Sequence, residues 1–98
     1  LIRDKVPAIL QEEGKTACCD VLDEATYEKL LNEAFLEEVA RYAREGTLEA
    51  MADIGEVMHA ILALKKIPIE AFQQARLARM EELGGYGSRL FLKEVIEK

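Results

Sequence analysis

Cysteine is scarce in this chain: Cys18 and Cys19 are the only two in 98 residues, and they are neighbours. A disulfide between adjacent residues is strained, and no Cys-x-x-Cys spacing or histidine pair accompanies them. A disulfide scaffold or thiolate metal site is therefore not expected, and both residues read as reduced thiols in a loop. Long apolar runs are also missing, since none approaches the roughly 18 to 20 residues that a bilayer-spanning helix needs. The opening LIRDKVPAIL carries charges where a secretory signal would be apolar, so an intracellular, cytoplasmic protein with no membrane partner is expected. Basic residues are outnumbered, 13 Lys and Arg against 19 Asp and Glu, for a formal net charge of −6. Such a surface repels a phosphate backbone, which disfavours nucleic acid as a partner. A small anionic substrate stays compatible when a divalent cation accompanies it. Alternating strand patterns and β-branched residues are sparse, and the chain has no internal repeat or low-complexity tract.

What is present is the mixture of a globular domain, half hydrophobic and one third charged. The length suits one domain over residues 1–98, near the lower end of what buries a sizeable core alone. Ala, Leu, Glu, Lys and Arg dominate and favour helix. Punctuation divides the chain into about four helices. A short first helix is expected from Val6 to Glu13, with Pro7 in its first turn and Gly14 after it. Asp23 suits the N-cap of a long second helix that ends near Glu45, before Gly46. Thr47 can cap a third, from Leu48 to about Lys65, and Pro68 starts a fourth that runs to Leu83. Residues 90–98 are compatible with a strand, a helix or a docked tail. The fold class is all-α, an antiparallel helical bundle with short connections, and its broad apolar arcs imply completion by oligomerisation.

The third helix carries three acids among apolar residues. Glu49, Asp53 and Glu56, at i, i+4 and i+7, fall in one stripe about 60° wide. Leu48, Met51, Ile54, Val57, Met58, Ile61, Leu62 and Leu64 flank that stripe, so the helix is expected to be buried nearly all round. The stripe is either a solvated seam or a wall that a cation neutralises. On the second helix, Tyr27, Leu30, Leu31, Ala34, Phe35, Val39 and Tyr42 form an apolar arc with Glu38 near its middle. Arg41, one turn on, can pair with Glu38. If the two helices pack antiparallel through the 46–47 connection, Glu38 and Asp53 reach similar heights. Carboxylates facing each other across a bundle suit a hard cation such as Mg2+ or Mn2+.

These residues resemble the MazG-like, all-α nucleoside triphosphate pyrophosphohydrolase superfamily, whose motifs are EExxE on one helix and ExxD on the next. The nearer likeness is to its phosphoribosyl-ATP pyrophosphohydrolase-like branch. It is carried by LIRDKVPAILQEEGK, VLDEATYEKLLNEAFLEEVARY, LEAMADIGEVMHAIL and LGGYGSRLFL, which together span most of the chain. The resemblance implies a hydrolase that assembles as a homodimer or homotetramer. Such an enzyme uses Mg2+ held by four acids to cleave a nucleotide between its α and β phosphates, releasing pyrophosphate. Glu37 and Glu38 match the paired glutamates, and Asp53 matches the aspartate. Arg41 stands where the third glutamate belongs, and Ala50 where ExxD has its glutamate.

Catalytic candidates are therefore Glu37, Glu38 and Asp53. The candidate metal set is Glu38, Asp53, Glu56 and Glu49, in a rearranged site. Arg3, Lys5 and Arg89 are candidates for phosphate contact, because an acidic chain needs local cations to hold an anion. Tyr86 suits packing or stacking on a base, and His59 an interior or interface position. Two functions follow: a Mg2+-dependent nucleotide pyrophosphohydrolase with an altered acid set, or a catalytically weakened relative that serves as a nucleotide-binding or oligomeric interaction module. No motif encodes the nucleotide.

Overall fold

The computed structural model describes residues 1–97. They form four helices in chain order and, among the described residues, no strand. The helices are α1 (Val6–Glu12), α2 (Glu24–Glu45), α3 (Leu48–Leu64) and α4 (Ile69–Leu83). The boundaries fall within one residue of those the punctuation predicts. Among the described residues, no helix is long and apolar enough to cross a membrane. The chain divides into two compact units, Leu1–Lys66 and a second that begins at Ile67.

In the first unit the helix ends follow from local chemistry. Gly14, at φ +80°, closes α1 with two bonds, from its own N–H to the carbonyl of Gln11 and from the N–H of Lys15 to that of Leu10. That pairing satisfies carbonyls which a helix end leaves open. Asp23 caps α2, its carboxylate accepting from the backbone N–H of Thr26 at 2.8 Å. This bond favours the ionised form, so the Asp23 pKa lies below its ordinary value.

The turn between α2 and α3 has two residues, each suited to its place. Gly46 takes φ +64°, a left-handed conformation that a Cβ would strain. The Thr47 hydroxyl accepts from the N–H of Ala50 at 3.1 Å, capping α3. A turn this short sends α3 back along α2, and the cross-helix ion pairs run in that order. Arg41, near the end of α2, reaches Asp53 early in α3, while Glu28, near the start of α2, meets Lys65 just past the end of α3 at 3.4 Å. The pair is an antiparallel hairpin, and α2 against α3 is the principal helix packing of the chain.

Its core is small. Among the described residues, Leu31 from α2 and Ala50 from α3 are the two buried apolar ones, at 4% and 0% exposure. Tyr27, Leu30, Ala34 and Phe35 of α2 and Ile54, Val57, Met58 and Ile61 of α3 are half-buried around them. The expected all-round burial of α3 is not found in the single chain. Leu48 and Met51 stay exposed, as do Leu36 and Val39 of α2, because only the face of each helix turned to its partner is covered.

The second unit holds α4, which Pro68 precedes and Gly84, at φ +80°, ends. Phe72 is half-buried, while Leu77, Met80 and Leu83 are exposed. Beyond the helix, the N–H of Arg89 bonds the carbonyl of Tyr86 at 3.0 Å in a turn, and residues 90–97 are neither helix nor strand. Residue 98 of that segment lies outside the described residues.

Candidate functional site

Glu38, Arg41 and Asp53 meet where α2 faces α3. Glu38 and Arg41, at i and i+3, share one face of α2, and the antiparallel return of α3 brings Asp53 opposite them. Arg41 bridges the two acids. Its Nη2 donates to Oδ2 of Asp53 in a close charge-assisted bond, and its Nε lies 3.1 Å from Oε2 of Glu38. That second contact is an ion pair without hydrogen-bond alignment, since neither Nε nor Oε2 has a hydrogen-bond partner among the described residues. Arg3 completes the group from the segment before α1, its Nη1 donating to Oδ1 of Asp53 at 3.2 Å.

Both oxygens of Asp53 thus accept from a guanidinium. The Arg41 bond, with the Arg3 bond behind it, holds the Asp53 pKa below its ordinary value against a smaller desolvation effect. The bond to Asp53 also raises the Arg41 pKa, with nearby Glu38 adding to it. The two arginines differ in setting: the Arg41 side chain is 30% exposed and that of Arg3 62%.

Beside this group opens a cleft of about 470 Å³, lined by Arg3, Asp4, Glu38, Asp53 and Glu56 with an apolar wall that includes Tyr27, Leu31 and Val57. Its charged lining contains one cation and four carboxylates. Asp4 and Glu56 enter no ion pair among the described residues.

The residues singled out in the sequence divide accordingly. Glu38, Asp53, Glu56 and Arg3 come together at this cleft. Glu37, Glu49 and Lys5 are exposed and do not line it, although Glu49 shares a helix with Asp53 and Glu56. Arg89 belongs to the second unit. Ala50, where an acid would be expected, is packed in the core of the hairpin. His59 is exposed rather than interior, Tyr86 is 97% exposed, and Cys18 and Cys19 are free and exposed. Asp4 escaped the sequence reading, as did the tie from Arg3 to Asp53. Fifty residues separate that pair, so no local pattern signals it.

A divalent cation needs oxygens free to converge on it. Here the two Asp53 oxygens are committed to guanidinium groups, Glu38 faces Arg41, and Ala50 offers no donor. Among the described residues, no group of three or more His, Cys, Asp or Glu side chains is placed to hold a metal ion. In this arrangement the residues do not fit a resident Mg2+ or Mn2+. No protein-family model matches the chain, and comparisons with curated proteins and with solved structures likewise find no match.

Proposed function

We propose that the chain is a MazG-like helical protein that binds a nucleotide or related phosphorylated small molecule with little or no metal-dependent hydrolysis. One observation carries this reading: Asp53, the acid most central to the motif pattern, is held by two arginines at once. Each guanidinium keeps N–H donors that Asp53 does not use, and arginine is well matched to phosphate oxygens. The carboxylates that would hold a cation serve here to orient the arginines. The exposed Leu36, Val39, Leu48 and Met51 give the hairpin apolar surface for assembly as a homodimer or homotetramer.

The test incubates the protein with a panel of nucleoside triphosphates and Mg2+, measuring pyrophosphate release and, by calorimetry, nucleotide binding. Binding without turnover is expected, weakened when Arg3 or Arg41 becomes Gln. A second reading, a Mg2+-dependent pyrophosphohydrolase with a rearranged acid set, has its own support in Glu38, Asp53 and Glu56 lining one cleft. Turnover that disappears in Asp53→Asn would establish that reading and remove the first. Sedimentation or light scattering of the intact chain checks assembly, and a monomer at all concentrations would refute it.

A further inference from the structure

We infer that Arg41 is the built-in cation of this site: its guanidinium stands between Glu38 and Asp53 in place of a divalent ion, and its removal uncovers a latent divalent-cation site. This goes beyond the binding reading and does not require a nucleotide.

The argument starts from charge. Glu38 on α2 and Asp53 on α3 both touch one Arg41 side chain, so the two carboxylates share a single positive neighbour. Without it they would face each other across a helix contact with only Arg3 to offset them. Like charges at such range repel, and the repulsion grows as water is excluded. An arginine stays protonated at any physiological pH, so this neighbour cannot be lost by titration. It also fills the space that an ion would need, because its Nη2 donates to one oxygen of Asp53 while its Nε lies 3.1 Å from one of Glu38.

Arg3 cannot play the same part. It reaches Oδ1 of Asp53 at 3.2 Å, forms no ion pair with Glu38 among the described residues, and is twice as exposed as Arg41. Its bond is expected to yield to a divalent ion. With Arg41 gone, Asp53 and Glu38 regain free oxygens, and Glu56 lies on the same cleft. Such an all-oxygen set takes a hard cation. The arrangement makes the hairpin independent of metal and keeps free divalent ions out.

Mn2+ alone is the probe. Its binding is followed by loss of the free-ion paramagnetic resonance signal, and stability by thermal melting with and without the ion. The wild-type chain is expected to leave the Mn2+ signal unreduced and to melt at the same temperature in Mn2+ and in chelator. Arg41→Gln should bind Mn2+ at least about tenfold more tightly, since a cation no longer opposes the ion at contact distance. Its melting temperature should rise with the ion, because a ligand of the native state stabilises it. The gain should vanish in Arg41→Gln with Asp53→Asn, and Arg3→Gln alone should not produce it. Equal Mn2+ affinity in wild type and Arg41→Gln would overturn the inference, as would an Arg41→Gln chain that folds and binds no Mn2+. A variant that folds only with Mn2+ present supports it, and one that fails to fold either way refutes the claim that an ion can take the place of the guanidinium.

Discussion

Replacing Ala50 by glutamate introduces the acid that the motif pattern asks for, and the hairpin is expected to resist it. Ala50 is fully buried in the first turn of α3, on the side packed against α2. Glutamate adds a methylene and a carboxylate at a position with no exposed surface. Overpacking a filled core costs about 1–3 kcal/mol. Desolvating the polar group adds about 1–3 kcal/mol more on the scale of protein mutants. The sum, about 2–6 kcal/mol, compares with about 5–15 kcal/mol for the whole stability of a chain of this length. At about 4–8 °C per kcal/mol for a domain of 60–100 residues, the melting temperature should fall by at least about 8 °C. Ala50→Ser, which adds only a hydroxyl able to bond the carbonyl one turn back, should lose much less. Thermal and urea melts of the three proteins, with slopes compared to check that the denatured state is unchanged, measure both shifts. An Ala50→Glu protein that melts within about 2 °C of wild type would refute the reasoning. The side chain would then have a route out of the core.

Two further predictions concern the helices themselves. Asp53 has a depressed pKa, so its ion pairs stabilise the fold above the ordinary carboxylate value and that contribution is lost as pH falls through the folded-state value. Melting temperature should therefore drop on acidification below about pH 4, and less steeply in Asp53→Asn; equal slopes would contradict the pairing. The remaining acid slope in that variant is expected from Asp23, whose bond to the Thr26 N–H sets the same sign. Gly55, exposed in the interior of α3, has nothing within 4 Å of a Cβ placed on it, so Gly55→Ala should stabilise by about 0.5–1 kcal/mol. A loss of stability measured in urea would show that another surface packs there.

The turn residues were legible because each acts through bonds to its near neighbours. Asp23, Gly46 and Thr47 set the ends of α2 and α3, and with them the antiparallel hairpin, from chemistry spanning four residues or fewer. The periodic arc of α2 likewise located Glu38 and Arg41 on the packed side, where their ion pair is found. Legibility failed where the outcome depended on distant chain. The apolar flanks of α3 predicted burial on all sides, yet periodicity counts apolar faces without supplying a neighbour for each, and Leu48 and Met51 remain exposed. The role of Arg3 lay outside any window, and so did the choice of Arg41 between the near Glu38 and the far Asp53. That choice went to a shared bridge with the better-aligned bond on Asp53, a matter of side-chain direction that spacing does not carry.

The bond from Arg3 to Asp53 bears on the order in which the fold assembles. The α2 and α3 pairing closes across a two-residue turn and draws on contacts between residues close in the chain, which form fast. The Arg3 tie joins residues fifty apart and must wait for a long loop to close, at an entropic cost that a partly exposed charge pair repays only after α3 is in place. The N-terminal segment is therefore expected to dock last and to release first. Amide exchange should show α1 opening at a lower free energy than the α2–α3 hairpin. The cleft shares its wall with that segment, through Leu1, Ile2, Arg3, Asp4 and Val6, so its opening and closing would follow the docking and release of the segment.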